Sequence, residues 1–182
     1  MGKITSYSMT NIQWVHESPL LALYKINKEI PMIQQQENLK ATGKVRIVKT
    51  NAQGVTTQDF EVPNLVVTAG KNFIAASMIK TTTNSPAAMT HMGIGTGSTS
   101  PGASDTTLGT QTTRASLSGN TVSTNTITYT ATFPAGSGDG AITEAGIFNA
   151  SSGGTMLCRT TFPVVNKAAG DSIAITWVVT VS

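Results

Sequence analysis

The chain has 182 residues, enough for about one domain with some excess, and only 12% of them are charged, about half of the usual share. Its net charge of +3 is scattered, which disfavours nucleic-acid binding, and its single cysteine, Cys158, excludes an internal disulfide framework. No run of about 18 apolar residues occurs, so the sequence predicts no membrane span. Threonine replaces much of the missing charge, and this β-branched residue favours a mainly β fold.

Residues 1–40 differ from the rest of the chain and are predicted to form an extended N-terminal docking arm. Pro19 and Pro31 bracket one short element, and the polar run 34–38 separates the segment from the domain after it. Its apolar side chains need a surface to cover, either on their own domain or on a neighbouring chain. The candidate docking residues are Ile12, Trp14, Leu20, Leu21, Leu23 and Tyr24.

From residue 41 to 182 the pattern predicts one antiparallel β-sandwich domain with one short helix. Apolar and polar residues alternate over 44–49 and 55–62 around a turn at 51–54, as in a hairpin. Thr68 is then expected to cap a helix that ends near Lys80. A short strand over 89–95 leads into a glycine-rich loop.

The second half of the domain completes the predicted set of about eight strands. The clearest is Thr126–Phe133, where four threonines alternate with core-type residues, and Ser172–Val181 alternates in the same way. A turn is expected at 118–120. Short strands with Gly, Ser and Asn turns are typical of an antiparallel sandwich. The other strands are predicted over 111–117, 141–149 and 155–162.

Residues suited to catalysis are few, and the sequence predicts no catalytic, metal or cofactor site. His16 and His91 lie in different segments, and Cys158 alternates in register with core residues. The Gly-x-Gly-x-Gly run over 93–97 follows a strand, as phosphate-binding loops do. No Gly-Lys-Ser/Thr ends that run, and Pro101 follows where a helix would begin, so a surface connection is favoured.

One acidic residue lies on a strand that is patterned for the core. Glu144 is flanked there by apolar positions, where an unpaired charge is costly. Arg114, the only arginine between Arg46 and Arg159, is the predicted partner. We interpret the pair Arg114 and Glu144 as an internal contact that fixes strand register, in preference to a binding site.

An ordered set of short segments from residue 64 to the C terminus carries a resemblance to a known family. The segments are 64–71 (NLVVTAGK), 92–97 (MGIGTG), Asp105 with Leu108 and Arg114, 142–148 (ITEAGIF), Phe162-Pro163 and Lys167, followed by an alternating strand. In this order they resemble the tail-collar or tail-fibre N-terminal domain family of tailed-bacteriophage virion proteins and related short phage appendage proteins. Residues 1–40 match none of these segments.

The resemblance implies a structural component of a virion that is not an enzyme. It would be a tail, collar or baseplate-proximal adaptor or short fibre that self-associates as a homo-oligomer and docks through its arm on other virion proteins of the tail, neck or capsid. No cofactor, nucleic acid or membrane is implied, and the protein would be assembled in the host cytoplasm. A capsid decoration protein is the alternative within the structural class.

A host-glycan-binding or depolymerising module is the alternative from a different class. It would need exposed aromatic residues or paired carboxylates. The sequence offers few of either, because Trp177 alternates with core residues and only Trp14, on the arm, is free.

Overall fold

A computed structural model describes residues 40–79 and 85–182 of the chain, and the six predicted docking residues of the arm lie outside the described residues. The described part is mainly β, as the sequence predicts. Its elements are β1 (Ala41–Thr50), β2 (Thr56–Pro63), β3 (Leu65–Val66), α1 (Thr68–Ser77), β4 (His91–Gly95), β5 (Gln111–Ser116), β6 (Gly119–Ser123), β7 (Thr126–Phe133), β8 (Gly140–Phe148), β9 (Met156–Lys167) and β10 (Ser172–Val181).

The strands form two five-stranded antiparallel sheets, which confirms the predicted sandwich. Sheet A has the order β2-β1-β10-β7-β6, and sheet B has the order β3-β9-β8-β4-β5. The main core lies between them, since alternate residues of each strand point inward. On β7 and β10 the inward residues are those that the alternation predicts, and Phe133 and Trp177 are completely buried.

Two strands of the structure are missing from the sequence prediction. β3 has only two residues, and β6 occupies most of the span where a turn is predicted at 118–120. The turn instead comes after β6, at Thr124 and Asn125, where Thr124 has a φ of 53°. The prediction places the turn too early because glycine and asparagine are common in turns, whereas Gly119 and Asn120 both belong to a strand.

Helix α1 is shorter than predicted and starts without the predicted side-chain cap. Val67 occupies the position before the helix, and Thr68 is the first helical residue and makes no capping hydrogen bond. The backbone N–H of Thr68 instead donates to the carbonyl of Ala103. Gly70 lets the helix lie directly on β9, because a Cβ there would collide with the carbonyl of Leu157.

Candidate functional site

A buried ionic cluster joins β8, β9 and the long loop 96–110 between β4 and β5. Glu144 on β8 is completely buried, and the Arg159 side chain on β9 is 3% exposed. Arg159 donates from Nε and Nη2 to Glu144 Oε2 at 3.0 and 2.8 Å. Its Nη1 donates to Asp105 Oδ2, in the loop, at 2.7 Å. One guanidinium therefore holds a carboxylate of the sheet and a carboxylate of the loop together.

The backbone of loop 96–110 supplies the remaining donors to Glu144. The N–H groups of Gly97 and Thr110 donate to Oε1 at 2.9 and 2.7 Å, and the N–H of Gly109 donates to Oε2 at 2.9 Å. Both oxygens of the carboxylate are thus hydrogen-bonded by the protein itself. Such charge-assisted bonds are about twice as strong as neutral ones, so the loop is fixed at both of its ends.

This arrangement explains the glycine run that resembles a phosphate-binding loop. The backbone N–H groups do surround an anion, but the anion is the side chain of Glu144. A Cβ on Gly97 would collide with Glu144 Oε1, and a Cβ on Gly95 would collide with the carbonyl of Thr110. Glycine is required at these two positions because the backbone passes too close to the Glu144 carboxylate and to the Thr110 carbonyl for a side chain to fit.

The same loop covers a second, smaller core on the face of sheet B that points away from sheet A. Leu108 of the loop packs there with Val67, Phe148 and Met156, all of them buried. Gly93 and Gly146 make room for it, as a Cβ on either would lie within 3.3 Å of the Leu108 side chain. The ionic cluster and this second core together attach the loop to the sheet.

Hydrogen bonds set the protonation states of the cluster. Burial alone would raise the pKa of Glu144, but the donors from Thr110, Gly109, Arg159 and Gly97 outweigh it and lower that pKa. The pKa of Asp105 is lowered by the N–H of Gly102, which more than offsets burial, and also by Arg159. Burial opposes the charge of Arg159 as well, yet Glu144 and Asp105 together raise the pKa of its guanidinium. All three side chains are therefore charged at neutral pH.

The prediction that Arg114 pairs with Glu144 names the wrong arginine. Arg114 lies on β5, and β4 separates β5 from β8, so Arg114 is not on a strand next to that of Glu144. Its guanidinium lies 3.4 Å from the ring centroid of Phe148, a cation–π contact.

The hydrogen bonds of Arg114 go elsewhere as well. Its Nη1 donates to the carbonyls of Ala150 and Gly153 at 2.8 and 2.9 Å, and its Nε donates to Gln111 Oε1 at 2.8 Å. Burial lowers the pKa of Arg114. The burial and pairing of Glu144 are confirmed, but its partner is Arg159. The signal for Arg159 was its position on the next strand of the same hairpin, opposite Gly146.

The cluster holds a loop in place and leaves its carboxylates little capacity for acid–base work. A surface cavity of about 430 Å³ is lined by Ser98, Thr143, Thr161, Phe162, Pro163 and Val164, none of which titrates near neutral pH. Within 40–79 and 85–182, no three His, Cys, Asp or Glu residues are grouped as a metal would need. In the same ranges no helix has the length and apolar character to cross a membrane.

Comparisons of the chain with protein-family models, with curated proteins and with solved structures found no match. The chemistry of its own residues therefore has to support any functional proposal. The site residues are those of the glycine-rich loop, Glu144 and Arg159, and their arrangement is a structural one.

Proposed function

We propose that the chain is a structural component of a tailed-phage virion and not an enzyme. It would serve as a tail, collar or baseplate-proximal adaptor or short fibre that binds other virion proteins and copies of itself. The proposal starts from the ordered segments of the sequence that resemble phage appendage proteins. It is supported further by what those segments do in the fold.

The observation that carries the proposal is that three of the segments in this resemblance meet at the loop attachment. Gly97, Asp105, Leu108 and Glu144 come from three of the segments, and all of them contact loop 96–110 or belong to it. The acidic and basic residues that could have taken part in catalysis instead hold the loop on the domain. The buried carboxylate of Glu144 already accepts hydrogen bonds on both of its oxygens. A rigid domain with internally satisfied charges suits a protein that works by binding.

The outer face of sheet A offers a surface for such binding. The outward residues of β7 and β10 are uncharged, and in register they form rows of Thr and small aliphatic side chains, namely Thr126, Thr128, Thr130, Thr132, Ala174, Thr176, Val178 and Thr180. Their hydroxyl groups can bond to a partner without the desolvation cost of burying a charge. Repeated packing of virion subunits would use such a surface.

The position of the protein in a particle can be tested with an epitope inserted after Gln53, in the exposed turn between β1 and β2. Immunogold labelling of purified particles that carry the tagged chain is expected to place gold at the tail or neck, with untagged particles as the control. Labelling over the head lattice would favour the decoration protein instead. Recovery of the tag only in the soluble fraction of the lysate would overturn the proposal.

Arm docking can be tested in the same particles. Replacing Leu20 and Leu23 by Asp is expected to abolish incorporation, because a charged arm cannot cover an apolar groove. Replacing Gln34 and Gln35 by Ala, in the polar run of the same segment, is the matched control and should leave occupancy unchanged. Normal occupancy of the Leu20→Asp, Leu23→Asp protein would show that the arm is not the anchor.

A further inference from the structure

The four edges of the two sheets differ in how they are protected from pairing with another chain. On β2, Asp59 and Glu61 form ion pairs with Arg46 and Lys44 of β1, and the strand ends at Pro63. The opposite edge of sheet A, β6, has the sequence Gly-Asn-Thr-Val-Ser, with no charge and no proline, and all five residues are exposed. Charges, prolines, bulges and short length are the usual protection of an edge strand, and β6 lacks the first two.

Sheet B protects its own two edges by other means. β3 has only two residues, and β5 carries Arg114 and has a register shift beside Gly95. Among the four edges in the described part of the chain, β6 is thus the one that combines an uncharged sequence with a run of five residues.

The side chains of β6 show that its inner face is uncovered. Val122 pairs with Ile127 and Asn120 pairs with Tyr129, and directly opposed residues point to the same side of a sheet. Ile127 and Tyr129 pack on the main core, so Val122 also faces inward, yet it is 73% exposed. Sheet B therefore does not extend over β6, and the core face of sheet A continues past the end of the sandwich.

The free backbone groups of β6 are determined by its hairpin with β7. Ser123 and Thr126 flank a two-residue turn and form a hydrogen-bonded pair, as does every second pair along an antiparallel ladder. The N–H and C=O groups of Asn120 and Val122 consequently point away from β7, towards solvent. Two residues with two free groups each form the minimal ladder for a further antiparallel strand.

We propose that β6 is an assembly edge that pairs antiparallel with β6 of a second copy of this chain, about a two-fold axis at Thr121. This register places Asn120 of each copy opposite Val122 of the other, so that all the free N–H and C=O groups of both residues are used. Thr121 then lies opposite its own copy in a non-hydrogen-bonded pair. The two inner faces meet on one side, where Val122 of each copy lies opposite Asn120 of the other copy and diagonal to its Val122, about 7–8 Å away.

A second copy fits this edge better than a charged partner does. The stretch 118–125, which includes β6 and its turn, carries no charge, so two copies meet without like-charge repulsion, and a charged partner would find no counter-charge. Pairing also joins the uncharged outer rows of β7 and β10 of two copies into one continuous surface. The inference specifies the self-association that belongs to the proposed function, but it requires nothing of the virion.

A cysteine at the two-fold axis tests the register directly. In a non-hydrogen-bonded antiparallel pair the two Cα atoms lie about 4.5 Å apart, within the range that a disulfide spans. Purified full-length Thr121→Cys is therefore expected to form a covalent dimer on mild oxidation, whereas Thr57→Cys, exposed on the protected edge β2, is the matched control and should stay monomeric. The native Cys158 is buried and will not interfere. Equal dimer yields from both variants, or none from Thr121→Cys, would overturn the proposal.

A charge on the edge tests the interface without a crosslink. By light scattering, the unmodified chain is expected to show a dimer whose population rises with concentration. Val122→Lys is expected to be monomeric, because a lysine on an edge strand opposes pairing and the two lysines would be diagonal neighbours across the axis. Val55→Lys is the control and should still dimerise. Val55 is also an exposed aliphatic residue, 57% accessible, but it lies in the turn between β1 and β2, away from β6. A dimer that survives Val122→Lys, or an unmodified chain that is monomeric throughout, would contradict the assignment. These measurements use the isolated chain, so their failure leaves the virion proposal standing, and absence from particles leaves the dimer standing.

Discussion

Glu144 illustrates how a buried charge is tolerated at the level of one residue. Its carboxylate loses all contact with water and receives three backbone N–H bonds and two from Arg159 in exchange. Replacing a buried ion pair by apolar residues is often neutral, but removing one partner leaves the other uncompensated. The cluster therefore stabilises the fold only while it is complete.

Glu144→Gln is expected to lower the free energy of unfolding by about 3–5 kcal/mol, the range for breaking a buried pair. The amide group would present N–H donors to groups that are themselves donors, either Arg159 or the loop N–H groups. Chemical denaturation measures the loss, and Glu61→Gln, in an exposed pair with Lys44, is the control that should change nothing measurable. Equal stabilities of the Glu144→Gln and unmodified proteins would show that the carboxylate contributes nothing.

The dependence of the thermal midpoint on pH below neutrality provides a second measurement at the residue scale. The folded-state pKa values of Glu144 and Asp105 are lowered, so their contribution is fully present above the ordinary carboxyl pKa and is lost as the pH falls through the folded values. Thermal midpoints are expected to drop in this acid range, and less steeply in Glu144→Gln. Some slope should remain in that variant, because the pKa of Asp171, hydrogen-bonded to Lys49, is lowered too. Parallel profiles of the two proteins would contradict the assignment.

The sequence predicts a buried, paired acid at Glu144 but cannot identify its arginine. Alternation assigns the residue to a core-patterned strand, which is a local property. The partner depends on the order and register of β9, β8, β4 and β5, which involve long-range pairing. Arg114 and Arg159 lie on the same row of sheet B, on either side of Gly93 and Gly146, but β9 is next to β8 whereas β4 separates β5 from it.

At the scale of elements, the strands with clear alternation are predictable and the irregular segments are not. β7 and β10 match the sequence prediction in both bounds and inward face. The sequence prediction misses β6 because the inner face of this strand is uncovered. A polar residue, Asn120, can therefore stand on the same face as Val122, and the strand lacks the alternation of apolar and polar residues. Loop 96–110 is predicted only as a surface connection, since the anion that orders its backbone comes from a strand more than thirty residues later.

Gly97→Ala tests how far loop 96–110 depends on its contact with Glu144. The added Cβ would meet the carboxylate and the N–H of Thr110, and overpacking of this kind costs about 1–3 kcal/mol. We expect lower stability together with faster amide hydrogen exchange across the loop, because its attachment is weakened. Ser98→Ala, at the exposed neighbouring residue, is the control. Unchanged exchange in Gly97→Ala would show that the loop does not depend on the contact between Gly97 and Glu144.

At the scale of the whole molecule, the described chain forms a sandwich that contains its own core and pairs its first described residue with its last. Lys40 and Ser182 exchange backbone hydrogen bonds, and β1 pairs with β10 along its full length. The central strands of sheet A are thus the first and last strands of the domain, which lie far apart in the sequence. Such pairing could be predicted as part of a sandwich, but its particular strand order could not.

Deleting residues 2–38 is expected to leave a folded sandwich with an unchanged thermal midpoint. The cut falls before Lys40, so it removes no residue that pairs with β10 and none of the buried residues Val45 and Ile47. A deletion of residues 2–46 is the contrasting control. It removes Val45 and most of β1, and it should abolish the cooperative transition because β10 and β2 would lose the strand between them. Calorimetry and circular dichroism distinguish the two outcomes. If the shorter deletion also abolished cooperative unfolding, residues 2–38 would be part of the folding unit and could not act as a separable docking arm.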